Sequence, residues 1–321
     1  MPDPMILLDD ARPEGASDAR LYQAPVEIVV ARQPEELGPA LERLGQLRRE
    51  GHYLAGWIAY EAGLALEPRL APLAGPRAAG PLLWFGAFAG YQTIAAGDVP
   101  GWLADRAEGS ASVGPLDPAL SPGGYARAFA AIQQAITDGD IYQANLTFPL
   151  TGAYRGDPLA LYAAIRPAAA AGYGGIVCDG AHWLLSFSPE LFVALKDGTA
   201  TVKPMKGTRP RGRDAAEDAA LAAELARSVK DRAENLMIVD LLRNDLSRVT
   251  RPGTVRVEQA FAVESYPTTH QMTSTVRAVM QDGRDEQDLI RALFPCGSIT
   301  GAPKIRAMEL IDAVERDARG P

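Results

Sequence analysis

Apolar strand patterns and helix patterns alternate irregularly along this sequence, and that irregular order limits the folds it can adopt. Residues 5–8 and 26–31 are β-branched and apolar, as in strands, whereas leucines at three- or four-residue spacing predict a helix over 34–50 that ends at Gly51. No strand–helix unit of about 30 residues repeats, as it would in a doubly wound sheet or a barrel. The sequence therefore predicts an α+β protein with antiparallel sheets.

The best linker candidate is the stretch 107–124, which is rich in small, polar and proline residues. On this basis we divide the chain into an N-terminal region, 1–112, and a C-terminal region, 113–321. Within the second region, residues 141–150 have a strand pattern and residues 214–247 are strongly helical.

Composition limits the function classes. The chain has 321 residues, a net charge of −8 and a pI of 5.1, which argue against nucleic acid as the main partner. Its two cysteines, Cys178 and Cys296, and its three histidines show no disulfide framework or zinc-ligand spacing. No basic leader with a long apolar run is visible, and no apolar run reaches about 18 residues. We expect a soluble cytoplasmic protein without a membrane span.

Lys206 is a candidate nucleophile because it lies in a constrained segment, Pro-Met-Lys-Gly-Thr-Arg-Pro, at residues 204–210. A lysine acts as a nucleophile only when its ammonium group loses a proton near neutral pH, which burial or nearby cations can bring about. From local sequence alone, a solvated lysine in a surface turn is the favoured interpretation, because lysine is mostly exposed.

Asp231 and Glu234 are candidate metal ligands. They are three residues apart in a predicted helix, so both carboxylates lie on one face. Oxygen ligands of this kind suit Mg²⁺, which often keeps several water molecules. The alternative is a solvated acidic face with ion pairs to Lys230 and Arg232.

Two further segments carry polar groups that could act on a ligand. Gly297, Ser298 and Thr300 precede a predicted helix, where free amides and hydroxyls can bind an anion, although a glycine turn with a capping threonine would look the same. Glu190 follows Ser-Pro at a strand junction and could serve as a general acid or base if it is partly buried; an ordinary turn residue is the alternative.

Gln143 and Asn145 are polar residues within a predicted strand. They could face a ligand, or they could be satisfied by cross-strand hydrogen bonds.

Taken in order, these segments resemble the chorismate-binding enzyme family, which includes anthranilate, aminodeoxychorismate, isochorismate and salicylate synthases. The resemblance is carried by IYQANL, SPELF, PMKGTRPRG, AENLMIVDLLRNDLSRV and GSITGAPKIRAMELI. The N-terminal segments LLDDARP, ARLYQAPVEIVVA and AGWIAYEAG extend it over essentially the whole chain. It implies antiparallel sheets packed face to face with flanking helices, as in anthranilate synthase component I.

Within the family, Lys206 is typical of the aminodeoxychorismate synthases, whereas anthranilate synthases have alanine there. The resemblance implies that Lys206 attacks C2 of chorismate while Glu190 protonates the departing C4 hydroxyl, after which ammonia adds at C4 and expels the lysine. Gln143 agrees with this, because isochorismate and salicylate synthases carry a lysine at that position. The ammonia would come from a glutamine amidotransferase partner, for the synthesis of p-aminobenzoate and folate.

The resemblance also implies Mg²⁺ as the cofactor, held by Glu234 with Asp231 as a nearby or water-mediated ligand. It assigns substrate contacts to Gln143, Thr208, Ser298, Thr300 and Gly301. The remaining alternatives are anthranilate synthase component I and a non-catalytic paralogue that binds chorismate or tryptophan.

Two departures from the family pattern matter. Family members have a histidine three residues before the serine of a His-Leu-Val-Ser segment. In this sequence that position is Gln271, and His270 lies one residue earlier. Adjacent strand residues face opposite sides of a sheet, so His270 is not expected to take that role. The family pattern also continues past residue 321 with further strands and a second metal-binding glutamate. We therefore expect an incomplete fold at the C terminus, a metal site lacking one ligand, and a chain that is inactive alone.

Overall fold

A computed structural model of the protein describes residues 2–75 and 80–321. Helices and antiparallel strand pairs alternate in mixed order, so the predicted α+β class with antiparallel sheets is confirmed. In chain order the strands are β1 (Met5–Asp9), β2 (Ala19–Gln23), β3 (Glu27–Ala31), β4 (Tyr53–Ile58), β5 (Leu83–Phe88), β6 (Gln92–Ile94), β7 (Ala111–Pro118), β8 (Gln143–Ala144), β9 (Leu150–Gly156), β10 (Tyr173–Cys178), β11 (Trp183–Ser188), β12 (Leu191–Lys196), β13 (Thr199–Lys203), β14 (Met205–Pro210), β15 (Arg256–Ser265), β16 (Thr269–Val279) and β17 (Gly301–Ala302).

The α-helices flank these strands. They are α1 (Pro34–Arg49), α2 (Ala62–Leu66), α3 (Val99–Arg106), α4 (Pro122–Thr137), α5 (Pro158–Ala169), α6 (Ala215–Arg227), α7 (Val229–Ser247), α8 (Glu286–Leu293) and α9 (Lys304–Val314). Short 3-10 turns lie at Ala71–Leu73 and Gly297–Ile299. In the described part of the chain, no helix is long and apolar enough to span a membrane.

The helix predicted over 34–50 is α1. It begins with a capping box in which Glu36 Oε2 accepts a hydrogen bond from the main-chain nitrogen of Gln33 at 3.1 Å. Gly51 follows with a φ of 95°, the left-handed conformation that commonly ends a helix. The leucines that predicted the helix are buried on one face.

The chain forms two compact units that are interleaved in sequence. The first comprises Met1–Ala128, Thr147–Pro189 and Glu315–Pro321, and the second comprises Phe129–Leu146 and Glu190–Val314. This division by packing differs from the division into 1–112 and 113–321, which followed composition.

The linker predicted at 107–124 is wrong. Its middle, 8 residues long, is β7, which pairs antiparallel with β9 from Ala111 opposite Gly156 to Pro118 opposite Leu150, and α4 begins at Pro122. The pairing skips a register step between Val113 and Leu116. Proline and glycine are tolerated in a two-stranded ribbon because many of its main-chain groups face solvent rather than another strand.

The strand predicted at 141–150 is also wrong in extent, because within it only β8 and Leu150, the first residue of β9, lie in strands. The partner of β8 is β17, and on either side of β8 the main-chain nitrogens of Tyr142 and Asn145 donate to the oxygens of Ala302 and Thr300, at 2.7 and 2.8 Å. The helix predicted at 214–247 is divided at Ser228, whose hydroxyl accepts from the main-chain nitrogen of Asp231 at 3.2 Å and caps α7.

The first unit contains a five-stranded sheet with the order β11-β10-β1-β2-β6 and a three-stranded sheet with the order β3-β5-β4. Ile6 and Tyr22 of the larger sheet pack with Ala55, Trp84 and Phe88 of the smaller one. The two sheets therefore face each other across a shared apolar layer, as the resemblance implies. A second core cluster joins the larger sheet to α3 and α5.

The second unit is built on a sheet with the order β12-β13-β16-β14, in which β15 pairs with the other edge of β16. Val202 and Val276 of this sheet pack with Ile238, Val239 and Leu242 of α7. The helix face thus covers one side of the sheet, and the strands that carry the candidate residues are fixed against it.

Candidate functional site

Lys206 lies at an irregularity in β14. The pairing with β16 shifts register between Met205 and Thr208, and Gly207 adopts a φ of 92°. A Cβ atom at Gly207 would lie 2.9 Å from the Cβ of Asp231, so both the backbone conformation and the close approach of α7 require glycine. This bulge sets the direction of Lys206, whose Nζ donates to the main-chain oxygen of Ser298 at 2.9 Å.

Glu190 immediately precedes β12 and lies beside the same serine. Its Oε1 accepts from the main-chain nitrogen of Met205 at 3.3 Å, and its carboxyl shares a hydrogen bond with the Ser298 side chain. Burial nevertheless raises the pKa of Glu190 above the ordinary glutamate value, because desolvation outweighs these hydrogen bonds and the charge of Lys206. The site therefore stabilises the protonated carboxyl relative to that of an ordinary glutamate, in the direction that a general acid requires.

The turn that carries Ser298 is held from within. Thr300 is fully buried, and its hydroxyl lies within hydrogen-bond distance of the main-chain oxygens of Cys296 and Gly297, at 3.2 and 3.3 Å. The next residue, Gly301, pairs with β8, and a Cβ there would lie 2.2 Å from the main-chain oxygen of Gln143. Thr300 thus acts within the turn, and Gly301 permits the close approach of the two strands.

Gln143 contributes a buried side-chain oxygen that lacks a hydrogen-bond partner among the described residues. Its Oε1 is buried and accepts no hydrogen bond from the described residues, while its backbone pairs with Ala302. A buried amide oxygen in this state is a ready acceptor for a ligand N–H or O–H group.

Asp231 and Glu234 have different surroundings. Asp231 is buried at the start of α7, and its Oδ2 accepts from Arg209 Nη2 at 3.0 Å, whereas Glu234 is partly exposed and lies 3.7 Å from Lys230 Nζ. Among residues 2–75 and 80–321, no three acidic, histidine or cysteine side chains cluster tightly enough to hold a metal ion. Glu234 fits as a single carboxylate ligand; Asp231 is already neutralised by Arg209 and does not fit as a direct one.

Thr208, Gln271 and His270 lie on neighbouring strands but have separate partners. Thr208 Oγ1 donates to Gln271 Oε1 at 2.9 Å, across the β14–β16 pair. The buried His270 ring lies between Ser265 Oγ at 2.8 Å and Asp218 Oδ1 at 2.9 Å. The two adjacent residues of β16 therefore reach different groups, and His270 is engaged in a buried network with α6.

The predicted residues thus fall into two connected groups. In the first, Lys206 and Glu190 meet at Ser298. In the second, the turn containing Ser298 and Thr300 leads through Gly301 to Gln143. Two further predicted residues lie next to Gly207 in the Lys206 bulge: Asp231 packs closely against it, and Thr208 follows it in sequence.

Sequence reasoning missed three residues that support this arrangement. Arg209 neutralises Asp231, and Cys296 places its Sγ 3.2 Å from Ser298 Oγ. Lys304 forms a buried ion pair with Asp245 of α7, at 2.6 Å, with side-chain exposures of 14% and 7%. The sequence shows that these side chains are charged or polar. No local pattern indicates which distant residue each of them contacts in the fold.

The sequence matches the chorismate binding enzyme family over residues 5–321, so the chain belongs to this family. Among its relatives is aminodeoxychorismate synthase component 1 of Klebsiella aerogenes, 46% identical over 195 residues, which are 61% of this chain and 43% of that protein. Anthranilate synthase component 1 of Streptomyces coelicolor is 41% identical over 202 residues, 63% of this chain and 40% of that protein. The matched segment is thus less than half of either relative.

A solved structure has the same fold. The crystal structure of anthranilate synthase component I from Streptococcus pneumoniae TIGR4 aligns with a TM-score of 0.80 and 23% identity, covering 95% of this chain and 79% of that chain. The fold expected from the resemblance is therefore confirmed.

Proposed function

We propose that this protein aminates chorismate at C4 to give 4-amino-4-deoxychorismate. The observation that carries the proposal is the meeting of Lys206 and Glu190 at Ser298, which places a candidate nucleophile and a candidate acid beside one turn. Relatives named aminodeoxychorismate synthase component 1, at 41–46% identity, support the same choice.

The proposed reaction has two displacement stages. Neutral Lys206 forms a bond from Nζ to C2, the two conjugated ring double bonds shift, and the C4–O bond breaks. Glu190 gives its proton to the departing oxygen, which leaves as water, and the new secondary ammonium group keeps both Lys206 protons. Ammonia then bonds to C4, the double bonds shift back, and the C2–Nζ bond breaks to release neutral Lys206; the new C4 ammonium group can return a proton to Glu190. Dividing one displacement in this way replaces a difficult step by two easier ones.

The remaining residues would bind and orient the substrate. Gln143 offers a buried acceptor without a protein partner, and the Ser298–Gly301 turn and Thr208 offer further polar groups near Lys206. Thr300 acts chiefly by holding the turn, because its hydroxyl hydrogen bonds lie within it.

We infer that Glu234 holds Mg²⁺, with Asp231 nearby or acting through water. The ion would bind a substrate carboxylate and disfavour the ammonium form of Lys206 by charge repulsion. Arg209 holds Asp231 at 3.0 Å, so this chain's own part is one partly exposed carboxylate, that of Glu234, beside a neutralised one.

The proposal extends to a partner and a setting. A glutamine amidotransferase subunit would supply ammonia, the product would serve p-aminobenzoate and folate synthesis, and the reaction would take place in the cytoplasm. A mixture of the full-length gene product with a candidate amidotransferase should turn over chorismate with glutamine in place of ammonium salts.

The test is product identification with the full-length gene product, chorismate, Mg²⁺ and ammonium ions, with products separated by mass. We expect 4-amino-4-deoxychorismate, which is not aromatic and lacks anthranilate fluorescence. Isochorismate as the main product, or chorismate bound but unchanged, would overturn the proposal.

Anthranilate synthesis is the second candidate function. Relatives named anthranilate synthase component 1 match at 38–41% identity and favour it. Lys206 disfavours it, because the family resemblance implies alanine at that position in anthranilate synthases. Accumulation of fluorescent anthranilate in the same assay would decide for this second function.

A further inference from the structure

Cys296 lies next to Ser298, the residue that bonds to Glu190, and the proposed reaction gives Cys296 no role. Its Sγ lies 3.2 Å from Ser298 Oγ, and its main-chain oxygen accepts from Thr300. The only other cysteine in the sequence is Cys178, which is buried in β10 of the other unit. The thiol, the hydroxyl and the Glu190 carboxyl therefore form a short row of polar groups.

The middle member of this row can donate only once. A serine hydroxyl has one proton and two lone pairs, and a thiol is both a weak donor and a weak acceptor. When Glu190 is ionised, the Ser298 hydroxyl must donate to the carboxylate, and the thiol can then donate to Ser298 Oγ. When Glu190 is protonated, its O–H can donate to Ser298 Oγ, and the serine proton can turn toward the sulfur.

The row therefore has two hydrogen-bond directions, one for each charge state of Glu190. We propose that Cys296 is a positioning residue for the acid step, because its thiol partners the Ser298 hydroxyl in whichever direction the protonation of Glu190 requires. This inference rests on the proposed function, in which Glu190 releases a proton to the C4 oxygen and must take one up before the next turnover.

The acid step itself transfers one proton. It passes from Glu190 to the departing oxygen, while the Ser298 and Cys296 protons rotate about their own bonds and stay on their atoms. The thiol makes the rotation possible without leaving the proton of the buried Ser298 hydroxyl unpaired, which would cost free energy.

The charges around the row keep the thiol neutral. Burial, and after it the charge of Glu190, raise the pKa of Cys296 despite the Ser298 hydrogen bonds and the positive charge of Lys304. Lys304 is itself paired with Asp245, and Lys206 faces Glu190 from β14. A neutral thiol can act as donor or acceptor, whereas a thiolate could only accept.

The coupling can be tested without turnover by titrating the thiol in a Cys178→Ala background, which leaves Cys296 as the single thiol. Alkylation rate with iodoacetamide is measured against pH. In Glu190→Gln the pKa of Cys296 should fall, and below that pKa the rate rises about tenfold for each unit of the fall. The exposed Glu35→Gln variant serves as a matched control and should leave the titration unchanged. An unchanged thiol titration in Glu190→Gln would overturn the inference.

The catalytic role is tested by the pH dependence of kcat in the full-length gene product. Cys296→Ala removes the partner that the serine proton uses when Glu190 is protonated, so the basic limb of kcat should move to lower pH and kcat should fall up to about tenfold, the effect of one lost hydrogen bond. Cys296→Ser, which keeps a donor and acceptor, should restore much of kcat, and KM for chorismate should change little in both.

An equal loss in both variants, or a rise in KM with an unshifted pH limb, would show a packing role and overturn the inference. Failure of the proposed function is a separate result: a protein that makes no aminodeoxychorismate fails the product assay, whereas the thiol titration still reports whether Cys296 and Glu190 are coupled.

Discussion

Lys206 and Ser298, which are far apart in sequence, are joined by a hydrogen bond of 2.9 Å from Nζ to the main-chain oxygen. A neutral amine that donates one proton to a carbonyl keeps its lone pair directed elsewhere, so this bond can hold Lys206 without blocking nucleophilic attack. The bulge at Gly207 directs the Lys206 side chain toward the Ser298 turn, whose main-chain oxygen accepts the hydrogen bond.

The raised pKa of Glu190 has a consequence for stability. Because the folded state binds this proton more tightly than the unfolded state, the wild-type protein loses stability as pH rises from the ordinary glutamate value of 4.5 through the folded value. Glu190→Gln removes that loss. We therefore expect the Tm of the variant, minus that of the wild type, to be smallest below pH 4.5 and to grow toward neutral pH.

Thermal unfolding by circular dichroism over this pH range checks the expectation. Glu35→Gln, on the exposed first turn of α1, is the control and should give a difference that does not depend on pH in this way. A Glu190→Gln difference that shrinks as pH rises would mean that the carboxylate, not the carboxyl, is favoured in the folded protein.

The Asp218 network gives the opposite pH dependence. The Arg211 guanidinium beside Asp218 holds the pKa of that carboxyl well below its usual range, with help from the Gly212 amide and His270. Stability from this group is present above the ordinary aspartate value of 3.8 and is lost as pH falls through the folded value. Asp218→Asn should therefore destabilise the protein at neutral pH, and the deficit should diminish in acid; urea unfolding at several pH values measures it.

Gly207→Ala should affect both stability and the site. The new Cβ would require a left-handed backbone at an alanine and would lie 2.9 Å from Asp231 Cβ, so the bulge must move. Overpacking of this kind costs about 1–3 kcal/mol. Gly38→Ala in α1 is the control, because nothing lies within 4 Å of its Cβ and alanine favours a helix. Urea unfolding should rank Gly207→Ala well below the wild type and Gly38→Ala at or above it.

The buried pair of Lys304 and Asp245 predicts a non-additive double variant. Lys304→Met leaves the Asp245 carboxylate buried without its cation and should cost about 3–5 kcal/mol. Asp245→Asn in the same chain removes that uncompensated charge and should recover part of the loss. A double-mutant cycle by chemical denaturation measures the coupling, and strictly additive effects would contradict a direct interaction.

Local sequence patterns correctly predicted the elements whose stability depends on nearby residues. The leucine spacing of α1 and its glycine stop specify a helix without reference to the rest of the chain. The errors at 107–124 and 141–150 concern pairings with distant segments, β9 and β17, which no local pattern encodes. For the same reason the sequence indicated Lys206, Glu190 and Ser298 one by one, and only the fold shows that they meet.

Cys296 illustrates the limit most clearly. In sequence it is one of two unpaired cysteines, and only the return of the turn toward β12 and β14 brings its sulfur beside a hydroxyl bonded to Glu190. Chemical character was visible in the sequence, but the neighbours that give it a role were not.

The most direct test of the proposed reaction is the mass of the intact full-length gene product after rapid quenching with chorismate and Mg²⁺ in the absence of ammonia. The account predicts a covalent adduct whose mass increase equals chorismate minus one water, located on Lys206 by peptide mapping and absent from Lys206→Ala. Addition of ammonium ions should discharge the adduct as 4-amino-4-deoxychorismate. Formation of that product by Lys206→Ala at the parental rate, with no adduct in either protein, would contradict the assignment of Lys206 as the nucleophile.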